Sequence, residues 1–424
     1  MLNRVLAILP LLSFVLAAQP AQDPGALARK ALDFVLAGQY NEFLQMSTAD
    51  VQKGLPAAEL AKVGALIKTY GAMESISGPT VTKSGPNTIA VFPTKFATQN
   101  INFRMIINSS GQVAGFFQLP GGMNWQRPEY SKPESFKERE VTVGEGDWKL
   151  PATLTVPVGA GPFPAVVLVH GSGPNDRDET VGGTKVFKDL AEGLASRGIV
   201  VLRYEKRTLQ YRVKMSALKR FTVEDETIED AVFGVAVLRA QPEVNGAKVY
   251  VLGHSLGGHV APRIAAQAGK IAGLVIMAGN VRHLEDLLVE QANHMGITGQ
   301  QMEQAKALQA KVKKLEAADE DSPSIGGLPV AYWLDLREYD TVADAKKQAL
   351  PMLILQGERD YQVPMADFNL WKAGLGSAKG VTLKSYPALN HLFVAGQGKS
   401  LPAEYAKPGH VAPEVINDLA QFVK

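Results

Sequence analysis

Val249-Tyr250-Val251-Leu252-Gly253-His254-Ser255-Leu256-Gly257-Gly258 passes from a β-branched apolar run, through glycines, into helical text, with a serine at the turn. Val249 to Leu252 reads as a buried strand, and residues from about His259 to Ala268 carry helical apolar spacing. A serine hydroxyl is a weak nucleophile until a base takes its proton, and it must stand where a carbonyl can reach it. A sharp strand-to-helix turn meets that need. Glycines two before and two after the serine let neighbouring backbone pass, and the first N–H of the new helix, Leu256, faces a developing oxyanion. The five-residue pattern alone is weak evidence, so its context has to carry the reading.

Outward from the turn, strands and helices alternate. Residues 139 to 157 read as two strands around Gly144-Glu145-Gly146-Asp147, and Ala165 to Val169 as a buried strand. A helix at about Val186 to Arg197 leads to strand Ile199 to Arg203, and another at about Thr227 to Ala240 leads to Val249. Strand Gly273 to Met277 follows the turn's helix. This βαβ rhythm implies an α/β fold with a mostly parallel sheet and helices on both faces. The rhythm breaks from about Val281 to Ala349, where Gln-, Lys- and Glu-rich text replaces a short connection. It reads as a helical lid of two or three helices above the carboxyl ends of the strands, with looser residues from Asp319 to Pro329 between them.

In this architecture the partners of a nucleophilic serine follow it in the order acid, then histidine. Of seven histidines, His170 precedes the serine, His254 and His259 flank it too closely, and His283 and His294 lie in the lid. His391 remains, on a loop after the β-rich Val381 to Tyr386, with His410 as the alternative at the start of the final helix. The acid belongs on the loop after Met352 to Leu355, where Gly357-Glu358-Arg359-Asp360 offers Asp360 first and Glu358 second. The second oxyanion donor belongs on His170-Gly171-Ser172-Gly173-Pro174, after the strand Ala165 to Val169; the Ser172 backbone is the choice and Gly173 the alternative. Asn175, Asp176, Arg177 and Asp178 either build the rim of the site or brace this loop. Lys311, Lys313 and Lys314 read as a solvated helix face.

The amino-terminal third has another texture. Arg4, an apolar run from Val5 to Ala18 and the polar Gln19-Pro20-Ala21-Gln22-Asp23-Pro24 read as a signal peptide over residues 1–18, too short to span a bilayer, which implies a secreted or periplasmic protein. Two helices, one around Ala28 to Leu36 and one from Ala57 to Tyr70, precede a meander of four strands at Val81, Ile89 to Phe92, Ile101 to Ile107 and Val113 to Leu119. Residues 25–120 thus form a small α+β domain. Residues 121–138 read as a linker open to proteolysis, and 139–424 as the second domain.

Composition narrows the function. The 424 residues exceed what one core usually serves, and the formal charge of +2, without long single-sign blocks, argues against a nucleic-acid partner. With no cysteine there is no disulfide, thiolate nucleophile or Cys-based metal site. No zinc-protease, phosphate-loop or dinucleotide motif is present, and the chemistry read here needs no cofactor and no metal.

His170-Gly171-Ser172-Gly173-Pro174, Gly253-His254-Ser255-Leu256-Gly257-Gly258, Gly357-Glu358-Arg359-Asp360 and Asn390-His391 together resemble the α/β-hydrolase superfamily over residues 139 to 424. The first of these and Tyr332-Trp333-Leu334-Asp335 are similar to secreted bacterial carboxylesterases related to dienelactone hydrolases and serine aminopeptidase-like enzymes. The resemblance implies a serine hydrolase acting on small esters, although dienelactone hydrolase itself uses a cysteine that this chain lacks. Residues 25–120 resemble a cystatin-like or nuclear-transport-factor-like domain. The catalytic set is then Ser255, Asp360 and His391, with the Ser172 and Leu256 amides as oxyanion donors and a small-molecule ester as partner. Peptidase or acyltransferase chemistry with the same triad, and ligand binding without catalysis, are the competing readings. Tyr332 and Trp333 either line an acyl pocket or pack the lid, and oligomeric state is not legible.

Overall fold

The computed structural model describes residues 23–97, 99–121 and 125–424, so the signal-peptide segment lies outside the described residues. The chain divides into two compact units, at Met123 and Asn124.

The first unit opens with α1 (Pro24–Leu36), capped by the Asp23 carboxylate, then α2 (Tyr40–Gln45), α3 (Ala49–Gly54) and α4 (Ala57–Thr69). Five antiparallel strands follow: β1 (Met73–Ile76), β2 (Thr80–Ser84), β3 (Asn87–Phe96), β4 (Asn100–Ile107) and β5 (Val113–Gly121). β3 pairs with β1 and β2 along its length and with β4, which pairs with β5. Ala28, Leu32 and Val35 of α1 join Phe92, Phe103 and Met105 of the sheet in one core. The sequence pattern anticipates two helices and four strands here; among the described residues four helices and five strands are found. The six-residue α2 and α3 bury only Phe43 and Val51, too little to display a period, and β1 is mostly exposed and held by its backbone ladder.

The second unit is built on β6 (Phe136–Val143), β7 (Leu150–Pro157), β8 (Phe163–Val169), the short hairpin β9 (Thr180–Val181) and β10 (Thr184–Lys185), α5 (Val186–Ala195) and β11 (Val200–Tyr204). Next come α6 (Arg207–Gln210), α7 (Arg212–Ser216), a π-turn at Glu224–Ile228, α8 (Glu229–Arg239), β12 (Val244–His254), α9 (Leu256–Gln267) and β13 (Gly273–Met277). The insertion holds α10 (Leu284–His294), α11 (Gly299–Lys313), α12 (Val330–Glu338) and α13 (Thr341–Gln348). The chain closes with β14 (Met352–Gly357), α14 (Met365–Leu375), β15 (Val381–Tyr386) and α15 (Pro413–Val423).

The eight-stranded sheet runs β15-β14-β13-β12-β8-β11-β7-β6, parallel from β15 to β11, with β7 antiparallel to both β11 and β6. Its central strands read as unbroken apolar runs because both faces are covered. Val167 and Val251 face one core with α8 and α9, while Val166 and Leu252 face the other with α5 and α15.

Two boundaries differ from the sequence reading. The sheet starts at Phe136, inside the residues read as linker, and the stretch before it is anchored rather than loose: Trp125 Nε1 donates to Asp189 at 2.7 Å, Arg127 pairs with Glu192 at 2.6 Å and Tyr130 donates to the Val411 carbonyl at 2.9 Å. Asp189 and Glu192 are buried carboxylates on α5 that nothing in the local sequence links to residues some 60 positions away. In the insertion four helices replace the expected two or three. Asp340 caps α13, whose Thr341 hydroxyl donates to the His259 carbonyl at 2.6 Å, so this last helix packs on the sheet-bearing body. Among the described residues no helix is long and apolar enough to cross a membrane.

Candidate active site

Ser255 sits between the end of β12 and the start of α9 with φ 55° and ψ −119°, a left-sided conformation that is costly for a residue with a side chain. The turn persists because its surroundings leave no alternative. The Ser255 N–H donates to the Met277 carbonyl at 2.9 Å, and its own carbonyl accepts the His259 N–H at 3.0 Å, opening α9. A Cβ at Gly253 would meet the Gly257 carbonyl at 2.1 Å, and one at Gly257 the Val169 carbonyl at 2.2 Å. Only glycine permits that approach.

His391 lies on the loop after β15. Asn390 shapes it by accepting the Leu392 and Val394 N–H groups on its side-chain oxygen. The buried His391 Nδ1–H donates to Asp360 Oδ2 at 2.7 Å. That leaves Nε2 with its lone pair free to accept a proton. Asp360, on the loop after β14, is itself over-determined: Oδ1 accepts the Gln362 and Val363 amides at 2.8 and 2.9 Å, and Oδ2 also accepts Gln356 Nε2 at 3.1 Å. Glu358, the second choice for the acid, instead accepts the Ser385 hydroxyl at the surface. His410, the second choice for the base, lies 3.2 Å from Asp189, the carboxylate that also holds Trp125.

Ser255, His391, Gly171 and Ser172 line one cavity of about 360 Å³. Leu284, Leu287 and Leu288 of α10 give it apolar surface, Tyr361, Val363 and Tyr405 add to its wall, and Asn175, Glu179 and His254 are among its polar lining residues. Tyr361 stacks between His294 and Tyr405, with ring centres 4.9 and 6.0 Å away. Tyr332 and Trp333 are buried away from it. The Tyr332 hydroxyl donates to Glu226 at 2.6 Å and the Trp333 indole to the Ile325 carbonyl at 2.9 Å, so both pack α12 against its neighbours.

Residues 175–178 brace the loop after β8. Asn175 donates to the Gly171 and Ser172 carbonyls, Asp176 accepts from Thr180, Arg177 pairs with Glu140 and Glu205, and Asp178 pairs with Arg203 and Lys185. His170, beneath it, is buried against Phe187 and Tyr204, and burial holds its imidazole down to about 4, so it is neutral.

Among the residues absent from the sequence reading as site residues are three buried charged or titratable ones: Glu179, Lys206 and His254. His254, which sequence order excludes as too close to the serine, has its ring 4.8 Å from that of His391, donates from Nε2 to the His391 carbonyl at 2.9 Å, and makes a 2.9 Å ion pair with Glu179 through Nδ1. Burial alone would lower the His254 pKa, but the Glu179 charge and the His391 carbonyl outweigh it and raise it above the ordinary value. Burial would likewise raise the Glu179 carboxyl, and the charge on His254 with the Gly171 amide draws it below its usual range. The signal in the sequence is the charged stretch Asp176-Arg177-Asp178-Glu179, which lies immediately before the β9–β10 hairpin.

The profile of the family described as "Serine aminopeptidase, S33" matches residues 162–395. Esterase EstD of Thermotoga maritima is 38% identical over 406 residues, covering 94% of this chain and 96% of its own. Acyl-coenzyme A thioesterase 3 of mouse (Mus musculus) is 29% identical over 146 residues, 34% of this chain and 29% of its own. Among solved structures, a Pyrococcus furiosus esterase superimposes with a TM-score of 0.44 at 16% identity, covering 71% of this chain and 97% of that one. Est1E from Butyrivibrio proteoclasticus gives 0.43 at 16% identity, covering 67% and 98%.

Proposed function

The chain belongs to the serine aminopeptidase S33 family of α/β-hydrolases, and on that ground we propose that it is a carboxylesterase using Ser255, His391 and Asp360 through an acyl-enzyme. The observation that carries this reading is that His391, paired with Asp360 at 2.7 Å, lines one cavity with a serine held at φ 55°. His391 Nε2 takes the Ser255 proton as Oγ attacks the ester carbonyl. The Leu256 and Ser172 N–H groups receive the developing oxyanion, His391 returns the proton to the departing alcohol, and water repeats the sequence to release the acid. The apolar surface from Leu284, Leu287 and Leu288 in about 360 Å³ suits short-chain acyl esters. The full-length similarity to an enzyme named an esterase supports ester over amide chemistry. The family's description keeps aminopeptidase activity as the second reading. Arg4 with the apolar run Val5 to Ala18 supports export, tested by N-terminal sequencing of the mature protein.

The deciding experiment labels the mature chain with a fluorophosphonate, maps the adduct and compares Ser255→Ala, alongside rates on p-nitrophenyl esters of increasing length and on aminoacyl amides. An adduct on Ser255, lost in the variant, together with ester turnover is the expected result. Amide turnover exceeding ester turnover would favour the peptidase, and a folded protein with no adduct and no turnover would overturn the hydrolase reading.

A further inference from the structure

Gly171 packs directly against the nucleophile, since a Cβ there would lie 3.0 Å from Ser255 Cβ. Both of its backbone polar groups are gripped by buried charged side chains. The N–H donates to Glu179 Oε1 at 2.8 Å, so this amide is consumed and does not face an incoming oxyanion. The carbonyl accepts Lys206 Nζ at 2.7 Å and, from the side of the loop, Asn175 Nδ2 at 3.1 Å. Lys206 is 1% exposed, and its remaining charge partner is Glu226 at 3.1 Å, which also accepts the Tyr332 hydroxyl of α12. An ammonium so deeply removed from water is placed at a backbone carbonyl beside the nucleophile, where an apolar side chain would fill the same space without the desolvation penalty.

A trans peptide is planar, so the Gly171 carbonyl and the Ser172 N–H lie in one plane and point in opposite directions. Fixing that carbonyl on Lys206 and Asn175 turns the Ser172 N–H the other way, and among the described residues this amide has no protein acceptor while Ser172 lines the cavity with Ser255. A cation on the carbonyl also draws electron density through the amide and makes its N–H a stronger donor. We propose that Lys206 is a positioning residue that, through the Gly171 carbonyl, orients and polarises the Ser172 N–H as an oxyanion donor. The inference rests on the reading of Ser255 as nucleophile.

The test uses the mature full-length chain with Lys206→Met and, because Asn175 grips the same carbonyl from a partly exposed position, Asn175→Ala. Active sites are counted with a fluorophosphonate, then kcat and KM are measured on p-nitrophenyl butyrate, and affinity is measured for a short alkyl trifluoromethyl ketone, whose adduct places an oxyanion in the hole. Loss of one oxyanion donor costs about 10²–10³-fold in kcat, and with Asn175 still in place Lys206→Met is expected to lose about 10–10²-fold. KM should stay within about twofold, and ketone affinity should fall by the same factor as kcat; Asn175→Ala should show the same parallel loss on a smaller scale. A variant that merely loosens the structure would lower the titrated fraction or raise KM without that parallel. Full kcat in folded Lys206→Met, or a kcat loss with unchanged ketone affinity, overturns the proposal. If Lys206→Met does not fold, Asn175→Ala decides by the same criterion. Wild-type protein without ester turnover or adduct would instead overturn the triad reading, so the two failures are distinct.

Discussion

Replacing Asp360 by Asn keeps the shape of the side chain and removes its charge, and the surrounding hydrogen bonds determine how the histidine responds. The carboxylate accepts four donors, two backbone amides on Oδ1 and the Gln356 and His391 N–H groups on Oδ2. An asparagine has one oxygen. Kept on the Gln362 and Val363 amides, it points its NH₂ at two other donors. Gln356 cannot yield by turning over, because its NH₂ also donates to the Gly357 and Val363 carbonyls. His391 yields instead, moving its proton from Nδ1 to Nε2, and the ring then meets Ser255 with an N–H where a lone pair is required. Turning the asparagine over restores the histidine tautomer but sets the NH₂ against two buried amides, which costs more. A triad with the wrong tautomer loses about 10⁴-fold in kcat, or about 5.5 kcal/mol at 1.36 kcal/mol per tenfold. The unsatisfied donor should lower folding stability by about 1–3 kcal/mol. Initial rates on p-nitrophenyl butyrate at pH 7, normalised to folded protein, read the first figure, and urea unfolding reads the second. Glu358→Gln, at a side chain that accepts the Ser385 hydroxyl at the surface, is the control and should retain kcat within about twofold. An Asp360→Asn enzyme keeping more than about a tenth of wild-type kcat would refute the assignment of Asp360 as the orienting acid.

Two further outcomes concern stability and linkage between segments. Glu179→Gln leaves His254 buried without its counter-charge and should cost about 3–5 kcal/mol by chemical denaturation. The Glu179 pKa is lowered on folding, so its contribution holds above about pH 4.3 and is lost as pH falls further; the His254 pKa is raised, so its contribution is complete below about pH 6.5 and is lost as pH rises beyond that. The gap between variant and wild type should therefore be widest between those limits and narrow on both sides, and a gap independent of pH would refute the ion-pair account. Limited proteolysis of the native protein should spare the stretch from Trp125 to Lys132, which is tied to α5 and to Val411, and Trp125→Ala with Arg127→Ala should open it; ready cleavage there in the wild type would contradict the anchoring.

The amino-acid sequence already displays the βαβ rhythm, the serine at the strand-to-helix turn and the three residues whose side chains the structure gathers at or beside one cavity. Each of these is written locally: apolar runs mark strands buried on both faces, glycines mark where backbones approach, and chain order with spacing sets aside five of seven histidines, leaving His391 and His410. The features that emerge only on folding have partners far away in the chain. Lys206 and Glu179 are ordinary charged residues until the parallel pairing of β8 with β11 and the β9–β10 hairpin bring both to Gly171. Sequence distance excludes His254, yet its carbonyl partner is 137 residues away, brought within 2.9 Å by the loop after β15, a strand two places removed from β12's neighbour β13 in the sheet. The anchored segment after Trp125 reads as a linker for the same reason, since its carboxylate partners stand on α5. Periodicity reports the face an element buries; it carries no information about which buried polar group will meet which, because that depends on contacts made only when the sheet closes.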